Sequence, residues 1–521
     1  MQLELSNAII LDLSELDEDI VVALKKHFRV KSPEYLDSDN KRSFTEDEKY
    51  IKMYEIVDNK LYLPRGVINE VEAILYDYDI TFDSDVEIVD NRLLLERIDF
   101  PEFKFDLYPH QDTISKLGYR LSQGTFQAGC GSGKTITLLK LIAMCRQPAL
   151  VIVPDKALQK QWLENVQNVF GFKYKSRRDN QIGLIGDGEY DYKNKYIVIA
   201  TVQSIYSHLD DSELFNSFGF VCMDECHLCG AMSFRTSIHL FPAYYRYGAT
   251  ATMFRNDNLG SFIEDYIGPC FYRVTDEQLE TNDLLIKPKM IKVPTNFRFK
   301  VNFKYQNWYM TMSKYLINDN ARNRLITNTI IEKSIKCNRI ALIVSTRVNH
   351  CVKLASIIQK QYPKIKIGIL VGDEADLRGL DFSNIETNQV EDKARNGELD
   401  LVFGVNKVKT GLDIPPLEDV YVVAPYKSQV ITTQVVGRVM RPSDCFGKYK
   451  HKSDKEACVY DFVDVNVEVL NNQYNEWRKP IYEERCEIVK PNLKKRSRNN
   501  GNKKSKPRTS HARTSNRKRM H

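Results

Sequence analysis

Short apolar runs alternate with longer amphipathic stretches along most of this chain. The first block is small. Ile9 to Leu13 reads as a strand, and Glu15 to Phe28 as an amphipathic helix with Leu16, Ile20, Val21, Leu24 and Phe28 at helical spacing. Tyr50 to Leu63 reads as a strand pair turned at Asp58-Asn59, Gly66 to Tyr76 as a second helix, and Leu93 to Ile98 as a closing strand. From about residue 101 the rhythm becomes strand, loop, helix. Gly124-Thr125-Phe126-Gln127 ends a short strand, and Ile136 to Cys145 is almost wholly apolar, as expected of a helix buried against a sheet. Leu150 to Pro154, Ile197 to Ala200, Phe220 to Met223 and Tyr245 to Gly248 are further apolar strands. Lys287 to Asn320 breaks the pattern. A second run follows with Arg339 to Ser345, Ile365 to Val371, Leu399 to Val405 and Val420 to Ala424, and then a helix. Beyond about residue 468 the strand pattern is lost. The predicted fold class is α/β with two successive parallel-sheet units. The expected division is a small α/β accessory module at 1–100, a first lobe at 101–286, a connector at 287–320, a second lobe at 321–468, and a C-terminal extension and tail at 469–521.

Composition narrows this picture. At 521 residues, 42% hydrophobic and 28% charged, the chain is too long for one core and has an ordinary globular balance. No run of 18 or more apolar residues occurs, so no membrane span is expected. Met1-Gln2-Leu3-Glu4-Leu5 lacks a basic region followed by an apolar one, so no secretory signal is expected. The eleven cysteines are scattered, with none in the first 129 residues, which points to free thiols in a reducing, intracellular compartment. The net charge of +6 is uneven. Val489 to His521 carries thirteen Lys or Arg and no Asp or Glu, so the rest of the chain sums to about −7. That tail is predicted to be disordered and to raise nucleic-acid affinity through counterion release.

The candidate chemistry centres on Ala128-Gly129-Cys130-Gly131-Ser132-Gly133-Lys134-Thr135, of the form [AG]-x-x-x-x-G-K-[ST] between a strand and a helix. Glycines let backbone N–H groups close around phosphate oxygens, and the helix N-terminus adds positive partial charge. Lys134 is expected to reach the β- and γ-phosphates, and the Thr135 hydroxyl to hold Mg²⁺. Some twenty residues upstream stands Gln111, whose amide offers the paired donor and acceptor that match adenine. The Phe220–Met223 run delivers Asp224-Glu225-Cys226-His227 to a strand end, where parallel sheets bind ligands. Asp224 is expected to hold Mg²⁺, Glu225 to orient and deprotonate the attacking water, and His227 to couple the site to Thr250 and Thr252. Cys222, Cys226 and Cys229 do not read as a zinc site, because Cys222 lies inside the strand. Tyr305, Trp308, Tyr309 and Tyr315 lie among Lys304, Lys314 and Arg322. Such clustered aromatics are expected to pack a helical connector, with base stacking as the alternative. The second run has no phosphate loop of its own. It offers Arg438 and Arg441, three apart on one helical face, a pair suited to a γ-phosphate approached across a cleft.

Gln111, the phosphate loop, Asp224-Glu225-Cys226-His227, Gly248-Ala249-Thr250-Ala251-Thr252, Thr410-Gly411-Leu412-Asp413 and Gln434-Val435-Val436-Gly437-Arg438-Val439-Met440-Arg441, in this order, resemble the superfamily 2 helicases of the DExH type. The Thr250–Arg255 segment and the Gln-x-x-Gly-Arg-x-x-Arg form look closest to the XPB, UvsW and type III restriction-subunit branch, and phage and poxvirus helicases share this layout. The likeness spans roughly residues 105 to 465. It departs at Ala128, where glycine is usual, and at Met253, where relatives often have proline. It implies two tandem RecA-like lobes with ATP and Mg²⁺ between them. Lys134, Thr135, Asp224 and Glu225 would come from the first lobe, and Gly411, Asp413, Arg438 and Arg441 from the second. It also implies a phosphate backbone held near Pro154-Asp155-Lys156, Thr201-Val202-Gln203 and Ser345-Thr346-Arg347. The expected activity is nucleic-acid-stimulated ATP hydrolysis on duplex, forked or branched DNA. An RNA helicase, a transcript-release factor or a restriction-type motor subunit are the alternatives. The expected state is a monomer or weak oligomer in the cytoplasm of a prokaryote or infected cell, with the virion or nucleus as alternatives.

Overall fold

The computed structural model describes residues 1–38, 43–129, 131–175, 180–253, 259–282, 284–300, 308–370, 385, 389–405, 414, 417–440 and 456–489. Three main sheets organise them. The first has five strands in the order Glu55–Val57, Lys60–Pro64, Ala8–Asp12, Gln2–Leu5, Glu87–Asp90. Its hairpin turns at Asp58 and Asn59, both with positive φ, as a tight two-residue turn requires. Helices Glu18–His27 and Ile68–Tyr76 cover one face through Ile20, Leu24, Val71 and Leu75. The closing strand is Glu87–Asp90, paired parallel with Gln2–Leu5. Leu93–Ile98, expected to close that sheet, instead docks on the next unit. Leu93 N–H donates to Pro242 O, Leu95 N–H to Gln147 Oε1, and Ile98 N–H to Arg146 O.

The second sheet runs Glu189–Tyr190, Ile182–Gly186, Ile197–Thr201, Ala149–Val153, Phe220–Asp224, Tyr245–Thr250, Gln123–Gln127, Cys270–Arg273. All pairs are parallel except the first hairpin. Both faces are buried, which explains the uninterrupted apolar strands. Ala149, Val151, Val153 and Cys222 share one core with Leu138, Leu141 and Trp162 of helices Lys134–Cys145 and Lys156–Phe170. Leu150, Ile152, Val221 and Met223 point the other way, into a core that also holds Leu3, Leu11, Leu24 and Val71. The small α/β unit therefore shares a core with the first lobe. Gly66 shows how close the two come: a Cβ there would lie 2.0 Å from Glu264 O. Arg65 and Arg246, both fully buried, stitch the seam. Arg65 donates to Ser6 O and Ala243 O, and Arg246 to Asn7 O and Phe241 O.

The third sheet is wholly parallel, in the order Ile367–Leu370, Leu401–Gly404, Ala341–Val344, Asp419–Val422, Cys458–Val463, Lys289–Pro294, Glu487–Ile488. Two of its strands depart from the sequence reading. Lys289–Pro294 falls in the expected connector and Glu487–Ile488 in the expected extension. Both lie towards one edge, where polar residues alternate with apolar ones and the continuous apolar signal of a central strand is missing. The extension is folded as far as Ile488. Buried Arg478 pairs with Asp461, Nε to Oδ2 2.7 Å, and Tyr482 Oη donates to the same oxygen at 2.9 Å. The two parallel sheets, with helices on both faces, are tandem RecA-like lobes. No helix among the described residues is long and apolar enough to cross a membrane.

Candidate active site

The strand order sets the site. The phosphate-loop strand, Gln123–Gln127, is separated from the Asp-Glu strand, Phe220–Asp224, by Tyr245–Thr250 alone. The parallel register brings Gln127 opposite Thr250, and Ala249 opposite Asp224. All three strands end their apolar stretch at one edge, where the polar residues collect.

Ala128 N–H donates to Thr250 O as the chain leaves the strand. Gly131 and Gly133 have φ of 84° and 78°, left-handed values that favour glycine. Gly133 caps helix Lys134–Cys145. A Cβ on it would lie 2.1 Å from Gln111 Nε2, so the loop and Gln111 fit only without a side chain there. Ser132 Oγ donates to Gly129 O at 2.7 Å and closes the turn. Lys134 Nζ donates to Ala128 O at 3.3 Å, across the loop.

Gln111 differs from expectation. It is buried against the loop, with its amide engaged by the chain itself. It occupies the third position of helix Pro109–Leu121, and its Oε1 accepts from Tyr108 N–H in a capping box. Its Nε2 donates to Ser132 O at 3.1 Å. The capping geometry folds the amide back, and it supports the loop backbone. His110, which the sequence did not single out, places Nε2 2.9 Å from the same Ser132 O.

Asp224 and Glu225 are held differently. Asp224 is buried; Oδ2 accepts from Trp162 Nε1 at 2.8 Å and Oδ1 from Glu225 N–H at 2.9 Å. Burial, then the neighbouring Glu225 charge, pushes the Asp224 carboxyl up, against Lys134 and Trp162. Glu225 sits at a left-handed φ of 53°, uncommon for a residue other than glycine. Burial would raise its carboxyl too, but Lys134, His227 and Arg438 outweigh burial and hold it low. His227 Nδ1 lies 3.2 Å from Glu225 Oε2 and 3.1 Å from Thr250 Oγ1. Thr250 Oγ1 donates to Thr252 O at 2.9 Å, so His227 Nδ1 stands between the Thr250 hydroxyl and the Glu225 carboxylate. The coupling of His227 to Thr250 and Thr252 expected from the sequence runs through the Thr250 hydroxyl. A carboxylate held low beside a lysine and a histidine has the property a water-activating base needs.

The second lobe reaches this site through Arg438, which follows helix Gln429–Gly437 and is buried. Its charge is felt at Glu225. A second cation approaches from Lys479–Arg485. Arg485 Nη2 pairs with Asp276 Oδ1 at 2.9 Å and lies 3.6 Å from where a Gly129 Cβ would stand. The sequence reading missed Trp162, His110 and Arg485. Only Trp162 carried a signal, since a buried indole N–H needs a partner. Cys130, Gly411, Asp413 and Arg441 lie outside the described residues, as do Lys304, Tyr305 and the basic tail. Thr135, the last residue of the loop, is the second residue of helix Lys134–Cys145 and is half-buried.

The donor set suits a magnesium nucleotide. Gly131 and Gly133 allow the left-handed turns of the loop, and Thr135 and Asp224 would supply the hard oxygens Mg²⁺ prefers. Residues 104–255 match the family described as type III restriction enzyme, res subunit. The chain is 23% identical over 402 residues to DNA 3'-5' translocase XPB2 of Sulfurisphaera tokodaii, across 72% of this chain and 86% of that protein. It is 23% identical over 429 residues to transcript termination protein A18 of Yaba monkey tumor virus, across 77% and 82% respectively. A solved fragment assigned to the HsdR subunit of a type I restriction enzyme from Vibrio vulnificus shares the fold. Its TM-score is 0.53 and its identity 15%, over 74% of this chain and 68% of that one. These similarities support a superfamily 2 helicase and indicate an ATP-hydrolysing enzyme.

Proposed function

We propose that this chain is a DNA motor, an ATP-dependent helicase or translocase that unwinds or branch-migrates duplexes during replication, recombination or repair. One observation carries the motor reading most directly. Arg438 of the other lobe is buried at the end of helix Gln429–Gly437, and its charge adds to those of Lys134 and His227 at Glu225, the carboxylate best suited to activate water. Hydrolysis on such a site depends on how the lobes meet, which is what couples chemistry to movement. In this reading ATP lies along the phosphate loop from Ala128 through Thr135, with Lys134 on its β- and γ-phosphates. Thr135 and Asp224 would hold Mg²⁺, which neutralises the triphosphate charge. Glu225 takes the proton of the attacking water, and Arg438 with Arg441 meets the γ-phosphate from the second lobe. Gly411 and Asp413 complete that lobe's side of the cleft.

DNA is favoured over RNA by the likeness to XPB2, whose name records DNA translocation. The likeness to A18 supports transcript release as the second reading. ATP turnover measured side by side with single-stranded DNA, duplex DNA, forked DNA and RNA separates them. Stimulation by duplex or forked DNA above RNA is expected; stimulation by RNA alone would replace the DNA reading with the second one.

A further inference from the structure

The negative charge of this chain is concentrated at its N-terminal end. Residues 1–100 hold 24 Asp or Glu against 12 Lys or Arg, and residues 101–488 hold 45 Asp or Glu against 50 Lys or Arg. The unit that shares a core with the first lobe therefore carries a net of −12, and the segment 489–521 a net of +13. Several of the unit's cations are already engaged. Arg65 is buried, and Lys49, Lys52, Lys60 and Arg92 pair with Glu46, Asp47, Glu4 and Asp90.

The fold turns this charge into a surface. Leu3, Leu11, Leu61 and Leu63 of the five-stranded sheet are buried in the core with the covering helices. Alternate residues face the other way. Across that face Glu55 stands opposite Tyr62, Tyr62 opposite Ile10, and Ile10 opposite Glu4, all half-buried or exposed. Where strand Gln2–Leu5 begins, an open cavity of about 620 Å³ is walled by exposed Glu15, Asp85 and Glu87. Gln2 N–H donates to Glu15 Oε2 at 2.6 Å, and the Met1 amine donates to Asp85 O at 2.8 Å. Among the described residues no three His, Cys, Asp or Glu are grouped as a metal ion needs. The cavity suits cations carried on long side chains, as in Lys and Arg.

The sign of the charge selects the occupant. Nucleic acid is repelled, and so is a second copy of the same surface. The chain itself holds a segment of matching charge, which follows Val489, whose N–H donates to Met290 O. Its 33 residues span up to about 110 Å when extended, against a radius of gyration of about 24 Å for a globular chain of this length. Attachment to the same chain gives it an effective concentration on the order of millimolar, an advantage over any separate basic peptide.

We infer that the acidic face of the N-terminal unit is a docking surface for the chain's own basic segment 489–521, and that nucleic acid competes for that segment. The competition rests on the motor reading; the docking does not.

Carbodiimide cross-linking, which joins a carboxylate directly to a lysine amine, tests the docking on the dilute full chain. Without nucleic acid, peptide mapping is expected to find Lys503, Lys504 or Lys506 joined to Glu15, Asp85 or Glu87. Saturating oligothymidylate should remove these links. Tail lysines joined only to residues 101–488, or only to a second copy, would overturn the docking and leave the motor reading intact. Affinity for a fluorescent oligothymidylate tests the competition. Glu15→Gln/Glu87→Gln should tighten binding by the full chain about threefold or more, as loss of two ion pairs to a competing segment does. In a chain ending at Val489 the same two substitutions should leave affinity unchanged. Equal tightening in both chains would mean plain repulsion of nucleic acid by the unit and would overturn the competition. Failure of wild type to bind the probe would overturn the motor reading and the competition with it, and the cross-links would still decide the docking.

Discussion

The indole of Trp162 donates to Asp224 Oδ2 at 2.8 Å, tying helix Lys156–Phe170 to the end of the strand that carries the two acidic residues. One Asp224 oxygen is thereby fixed by a side chain and the other by the Glu225 backbone. Trp162→Phe keeps most of the buried ring and removes that donor. Turnover should fall about 10- to 100-fold, as loss of a partner to a metal-holding group does, and the magnesium concentration for half-maximal rate should rise. Titrating Mg²⁺ against ATP turnover checks this; an unchanged magnesium requirement would remove Trp162 from the site.

Arg485 and Asp276 join the C-terminal helical segment to the helix beside the phosphate loop. Both side chains are largely covered, so the pair should be worth about 1 kcal/mol. Asp276→Arg and Arg485→Asp should each lower thermal stability and alter KM for ATP, and the double exchange should restore much of both. A double-mutant cycle reads the coupling; strictly additive effects would mean that the contact holds nothing together.

The seam between the N-terminal unit and the first lobe has no room at Gly66. Gly66→Val drives a branched side chain into the backbone of Glu264 and Asp265, at a cost of about 1–3 kcal/mol or more. Limited proteolysis should then release the first ninety or so residues sooner than from wild type. An unchanged cleavage rate would show that the shared core does not depend on this contact.

Asp265 lies on the same seam. Burial pushes its carboxyl up to about 7, with Glu70 and Glu264 adding to the rise against Ser261. A folded pKa above the ordinary 3.8 means that the folded state holds the proton more tightly. The contribution is complete below pH 3.8 and is lost as pH rises through about 7. His350 acts in the opposite sense. Burial, helped by Arg322 and Lys353, lowers it to about 3, so stability falls as pH drops below its ordinary 6.5. Asp265→Asn should therefore be more stable than wild type above pH 7 and equal to it near pH 4. Thermal midpoints across that range check the sign, which a constant difference would contradict.

The two parallel sheets were legible because their central strands, such as Ala149–Val153 and Phe220–Asp224, are apolar on both faces and end in polar residues. Edge strands were not. Lys289–Pro294 alternates and is defined by its pairing with Cys458–Val463, and Glu487–Ile488 is too short to stand out and is defined by its pairing with Lys289–Pro294. In the site, the phosphate loop and the acidic pair follow from local spacing. Gln111 was visible, but the direction its amide faces depends on a capping contact with Tyr108 that sequence does not encode as a direction. Arg485 is some 350 residues from Gly129 in the chain, and only the third dimension brings them together.

The central claim is that Glu225 activates water for ATP hydrolysis while Lys134 and His227, with Arg438 of the second lobe adding to them, hold its carboxyl low against burial. Glu225→Gln keeps the size of the side chain and removes the base. Steady-state ATP hydrolysis by the full chain, with saturating forked DNA, measures this directly. The account predicts a loss of about 10²–10⁴-fold in kcat, with ATP still bound and the thermal midpoint unchanged. Full turnover by Glu225→Gln would contradict it.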